Sequence, residues 1–262
     1  MVEIKLEYQA FPFLNYARII HGTYPSTFGE LKPEQLIAIA RLLNQTISDT
    51  DFLKFMTGIK KSTINKLDEY QRYQLMILFE PFTLVAPYNE FIIPRIDTWT
   101  TQLFAPKPNL SQITFAQFIF AESYFVSYQT DKKPLDLYKF VASLYLPQSR
   151  AFSEDDISAG ELYFGKVKQE ILEAVVINYV LIKEWLANAY PMVFQKEDEE
   201  FDENYEAQKK SLKKPNHNSG WLKIFESVVG DDLVNHDRYA ILPLHNVLRW
   251  MSKKIIENIK RK

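Results

Sequence analysis

The sequence predicts a mainly α protein: a helical bundle with a small N-terminal β-element and a C-terminal helical pair. Three observations carry this. Apolar residues recur at three- and four-residue steps through most of the 262 residues. Strict alternation of apolar and charged residues is confined to the first few positions. Ser, Thr and Pro punctuate the apolar runs at intervals of helical length.

Val2, Ile4, Leu6 and Tyr8 alternate with Glu3, Lys5 and Glu7, the two-residue period of a strand with one buried face. Ile19, His21 and Tyr24 suggest a second short strand, with Gly22 near a turn. After "YPSTFGELKPEQ" the period becomes helical, placing Leu36, Ile39, Ala40 and Leu43 on one face, with Pro33 in the first turn. "TDFLKFMTGI", Thr50 to Ile59, reads as a short helix stopping at Gly58. Ser62 to Phe82 reads as a helix broken by Pro81, "APYNEFIIPRI" as irregular, and Phe104 to Gln112, with two prolines, as a linker. Helices are expected over Thr114–Gln129, Leu135–Leu146 and a long Ser153–Tyr190, the last two stopped by Pro147 and Pro191.

Two helix starts echo each other. Thr27-Phe-Gly-Glu30 and Thr114-Phe-Ala-Gln117 both match the capping box, and Ile113 with Phe118 has the spacing of a hydrophobic staple. They read as ordinary caps, with a degenerate internal duplication as the other reading. Beyond Gln195 an acidic block, Glu197 to Glu206, precedes a basic one, Lys209 to Lys214. This gives three expected regions: a helical body over 1–194, a charged linker or exposed helix over 195–219, and a C-terminal helical segment over 220–262. In that segment Gly220 to Gly230 is amphipathic. Leu244, Val247, Leu248, Met251, Ile255 and Ile259 then share one helical face, ending in a cationic terminus that suits the helix dipole.

Motifs for chemistry are missing. With no cysteine, there is no disulfide framework, thiolate metal site or Cys nucleophile. The four histidines, His21, His217, His236 and His245, have no partners at metal or nucleophile spacing, and His236-Asp237 beside Asp231-Asp232 reads as a polar loop. The acidic run lacks the glycine and alternating ligands of a calcium loop. "GIKKST", Gly58 to Thr63, has neither the earlier glycine nor the preceding strand of a phosphate loop. A net charge of −2 and aromatics set among apolar neighbours disfavour a nucleic-acid partner. The longest apolar helical run, Ala174 to Ile182, is far short of a membrane span and contains Asn178; the first residues carry no apolar leader core. No catalytic, cofactor or metal residue is therefore expected, and an enzyme without a recognisable motif is the alternative reading.

One resemblance gives direction. A strand precedes "STFGEL", then come "FLKFMTGI", a second cap in "ITFAQFIFAESYF", the tripeptide "LYL" with Pro147, and a closing "GWLKIFESVVG" and "LPLHNVLRWM". This order resembles a loose group of helical accessory proteins encoded among the tail and virion genes of tailed phages and prophages. In that group a TFGQ(F/Y)I-type cap opens a helix bundle, LTGI follows the first helices, and an LYxP step follows the second cap. Here Ala116 replaces the usual Gly and Met56 the Leu, and the charged segment after Gln195 is additional. The resemblance implies a non-enzymatic role in tail assembly, chaperone-like or as a minor structural component. It implies phage tail or connector proteins as partners, no cofactor, and a location in the host cytoplasm or the finished virion. Trp221, Leu244, Leu248, Trp250, Met251 and Ile255 are the candidate partner-binding residues, because a short helical pair cannot bury its own stripe. The chain's own helical body is the other surface that could cover it.

Overall fold

The computed structural model describes residues 1–11, 14–148, 150–194, 221–229 and 236–260; the charged run expected as a linker lies outside them. The fold is mainly α, with twelve α-helices and two small antiparallel sheets among the described residues. The chain divides into two compact units, one over Met1–Val85 and the other holding the described parts of Ala86–Gln208 and Lys214–Lys262.

The first unit opens with a hairpin, β1 (Val2–Phe11) against β2 (Leu14–Tyr24), with Val2 opposite Tyr24 and Leu6 opposite Ile20. The second strand begins at Leu14 rather than near Ile19. Adjacent Ile19 and Ile20 hide its alternation, and pairing with β1 supplies the order that the local pattern lacks. Gly22 packs against Thr57 and Ile59: a Cβ there would meet Ile59 Cγ1 at 2.9 Å and the Thr57 carbonyl at 3.1 Å. The Gln71 side-chain amide also donates to the Glu7 carbonyl at 2.8 Å.

The expected Thr27 box does not form. Phe28–Glu30 is one turn of 3-10 helix and the Thr27 hydroxyl makes no cap bond. Glu30 instead accepts from the backbone N–H and hydroxyl of Ser26, at 2.7 and 2.9 Å. Helix α1 (Pro33–Leu43) starts at the proline, and Gln35 bonds back to the Lys32 N–H at 2.9 Å. Helix α2 (Asp49–Thr57) ends as expected at Gly58, whose φ of 71° is the left-handed stop that glycine adopts without strain.

The single helix expected from Ser62 is two, α3 (Lys61–Ile64) and α4 (Glu69–Ile77), followed by a 3-10 turn at Glu80–Thr83. The divider is Asp68, which accepts from the Gln71 N–H at 2.7 Å while the Gln71 side chain accepts from the Asp68 N–H at 3.2 Å. This Asp-x-x-Gln box is a helix start in a polar stretch, Asn65 to Gln74, inside the segment expected as one helix. Around it Phe79 stacks edge-on with Phe52 and Tyr24, at centroid distances of 5.6 and 5.9 Å, and forms the unit's aromatic core.

In the second unit, β3 (Arg95–Asp97), β4 (Gln102–Phe104) and β5 (Leu146–Pro147) form a three-stranded sheet. Of the expected linker, Phe104 ends strand β4 and Pro108–Leu110 makes a 3-10 turn. Helices α5 (Phe115–Asp131), α6 (Pro134–Leu144), α7 (Glu154–Ser158), α8 (Gly160–Phe164) and α9 (Gln169–Ala189) build the body. The long helix expected from Ser153 is therefore three, broken around the two glycines at 160 and 165. Ser153 does cap, in a box with Asp156. Phe125, Phe140 and Tyr179 meet between α5, α6 and α9 with centroids 5.1–5.5 Å apart.

Asn178, the polar residue in the most apolar stretch, has a defined job. It accepts from the Ile92 N–H at 2.6 Å and donates to the Glu90 carbonyl at 2.8 Å. The irregular "APYNEFIIPRI" segment thereby satisfies buried backbone groups that no helix or sheet serves.

Thr114 caps α5, accepting from the Gln117 N–H at 3.2 Å. Only half of the expected box forms, since the Gln117 amide donates instead to the Ser143 carbonyl at 2.9 Å. The free N–H at Phe115 bonds to the Leu242 carbonyl at 2.8 Å, and the Leu244 N–H returns to Ile113 at 3.0 Å. Thr114→Ala should cost about 1 kcal/mol in the denaturant unfolding of this unit; an unchanged midpoint would show that the cap adds nothing. That exchange with residues 242–244 ties α10 (Trp221–Val229), α11 (His236–Ala240) and α12 (Leu244–Lys260) to the start of α5. The C-terminal helices thus belong to the second unit, and the described chain divides after Val85; the linker expected over 195–219 lies outside the described residues.

Candidate functional site

Helix α9 cannot continue past Ala189, because Pro191 lacks the N–H and Tyr190 turns out of helical geometry at φ −132°, ψ 60°. The chain leaving α9, Ala189 to Met192, runs beside one face of α12. On that face Arg249, Ser252, Lys253, Ile256 and Lys260 recur at helical steps. Between them lies an open groove of about 570 Å³, with Tyr190, Pro191, Met192 and Ile256 as its apolar lining. Arg249, Lys253 and Lys260 supply three cations and Glu257 one carboxylate, a formal balance of +2 from these four residues. Glu257 reaches Lys254 at 3.5 Å and Lys253 at 3.9 Å.

A polar cluster fixes the geometry of this groove at its end. The Tyr190 hydroxyl lies 2.7 Å from His245 Nδ1, and His245 Nε2 lies 2.5 Å from the Asn109 carbonyl. A carbonyl only accepts, so in the neutral ring Nε2 carries the hydrogen and Nδ1 accepts from tyrosine. The two rings stack with centroids 5.7 Å apart, and Trp185 meets His245 edge-on. Asn109 is held at φ 62°, a left-handed geometry that asparagine tolerates, by Asn89, which contacts its side chain at 2.6 Å and its N–H at 2.8 Å. Both imidazole nitrogens are engaged, so His245 is a structural lock that seats α12 against α9.

The structure divides the six residues proposed from sequence. Trp221 is 4% exposed, with its ring 5.0 Å from Phe118 and 5.4 Å from Phe194, so it is core. Leu244 and Leu248 are fully buried within the same unit. These three are unavailable to a partner, because the body covers the N-terminal half of the stripe. Met251 and Ile255 are half-buried, and Trp250 is 45% exposed. Ile256 and Ile259, at 40% and 57% exposure, continue the apolar surface towards the C-terminal end. The sequence reading missed the groove cations and Tyr190. Arg249, Lys253 and Ile256 were visible as a helical stripe, but nothing local announced that residues 189–192 lie beside it.

The other described chemistry-bearing groups lie away from the groove. Glu122, 1% exposed, pairs with Lys183, 12% exposed, at 2.8 Å, and the lysine sits 4.7 Å from the centre of the Phe125 ring. Burial, and then the Glu122 charge, push the neighbouring Tyr179 phenol well above its ordinary range. None of the three lines the groove, so the cluster reads as a clamp between α5 and α9. His21 contacts Glu3 at 3.1 Å on the exposed side of the hairpin. The His236 side chain, His217 and Asp231-Asp232 lie outside what is described. No group of three or more metal-ligating side chains gathers among the described residues, and none of their helices is long and apolar enough to cross a membrane. No protein-family model, curated protein or solved structure matches this chain.

Proposed function

We propose that this is a non-enzymatic protein of a tailed phage or prophage that acts by protein–protein contacts in virion or tail assembly, as a chaperone-like or minor structural component. The observation that carries the contact reading is the split face of α12. Leu244, Val247 and Leu248 are buried in the body, while Trp250, Ile256 and Ile259 remain exposed, Ile256 as part of a shaped groove. Exposed apolar side chains, an aromatic among them, are the material of binding surfaces, and tryptophan is the residue that most often anchors one. In the first unit α4 presents Tyr70, Tyr73 and Ile77 to solvent along one side, a second surface of the same character. The phage setting rests on the order of the cap and turn motifs alone. Under this reading the partners are other tail or connector proteins, met in the host cytoplasm or retained in the virion.

The test is capture of partners by the full chain in cells that also express the genes neighbouring its own. Trp250→Glu with Ile259→Glu should abolish capture while leaving the circular dichroism spectrum and melting temperature unchanged. Neighbouring genes of a metabolic operon, and no partner captured by the unaltered chain, would sink the reading.

A further inference from the structure

We propose that the groove between the end of α9 and α12 is a docking site for an acidic protein segment that inserts an apolar side chain. This rests on the protein-contact reading above and names the chemistry of the partner. The groove has the two components such a segment requires. Tyr190, Pro191, Met192 and Ile256 form a floor without charge, suited to an apolar side chain. Arg249 and Lys253 are one helical turn apart and Lys260 two turns beyond, so the cations follow the groove along α12 rather than meeting at one point. A row of cations beside an apolar slot fits an extended or helical acidic segment better than a single small anion, which would engage only one end. Glu257, shared between Lys253 and Lys254, offsets one charge of the row and leaves the groove at a formal +2. The Tyr190–His245–Asn109 contacts anchor the start of α12 beside the end of α9, so the groove is already formed without a partner, which lowers the ordering cost of binding.

The probe is a fluorescein-labelled synthetic peptide of about a dozen residues, rich in Glu and Asp, with Phe and Leu at i and i+4 to suit a groove. The chain carries its own acidic run at 197–206, which would compete for the same groove. The titration is therefore made on the full chain and on a full chain with the acids of that run changed to Asn and Gln. Binding to either, weakened about tenfold or more by Arg249→Glu with Lys253→Glu, supports the proposal. Ile256→Asp should weaken it independently, by removing the slot. All these positions are exposed, so folding is preserved and is checked by melting temperature. The proposal is overturned if neither full chain binds the acidic peptide, or if charge reversal leaves binding intact. Equal affinity for a thymidine oligonucleotide would overturn it too, because the groove would then read charge alone. Partner capture that persists in the Arg249→Glu, Lys253→Glu chain would sink this inference and leave the broader contact reading standing.

Discussion

Lys183→Met should destabilise the second unit by about 3–5 kcal/mol, because it removes the cation from a carboxylate that is almost wholly buried. Glu122 sits at 1% exposure on α5, and water cannot replace the lysine there. The same substitution removes the ammonium from the face of Phe125. The double variant Lys183→Met with Glu122→Leu should recover most of the loss, since replacing a buried ion pair by apolar side chains of similar volume is often neutral or stabilising. Urea unfolding of the three variants decides it. A single-variant loss below about 1 kcal/mol would show that the pair is solvated and that the α5–α9 clamp is not electrostatic.

The second large effect separates core from surface at two tryptophans of similar sequence context. Trp221→Ala should cost about 3–5 kcal/mol, because the indole fills the space between Phe115, Phe118 and Phe194 and its removal leaves a cavity in an aromatic cluster. Trp250→Ala should change stability by less than about 0.5 kcal/mol, as surface substitutions do. For partner capture the order reverses. Trp250→Ala weakens it directly, and Trp221→Ala does so only to the extent that the unit unfolds. If Trp221→Ala keeps its melting temperature while capture is lost, Trp221 is a surface anchor and the packing described here is wrong.

This pair also shows where the sequence is legible and where it is not. An amphipathic helix advertises that one face will be covered, and the period is the same whether the cover is the chain's own body or another protein. Trp221, Leu244 and Leu248 therefore looked like binding residues, and tertiary packing took them. Local signals performed better. Pro33, Gly58, Thr114, Ser153 and Pro191 start or stop helices where their backbone chemistry requires it. The misses have physical causes of the same local kind. Asp68 with Gln71 is a cap set within a segment that reads as one continuous helix, and the glycines at 160 and 165 mark where a long helical period is cut. Strand β2 depends on its partner for order. The groove is the least legible feature, because its walls come from segments far apart in the chain, brought together where His245 meets Tyr190 and Trp185.

Under the proposed function the protein acts by contact through the outer side of α12. Photo-crosslinking tests this most directly. A benzophenone side chain is placed at Trp250 or Ile256 in the full chain, expressed together with its neighbouring genes, with an equally exposed control at Glu154. The account predicts a discrete protein adduct from positions 250 and 256 and none from 154. Captured partners that crosslink nowhere on α12, or a chain that crosslinks equally from all three positions, would contradict it.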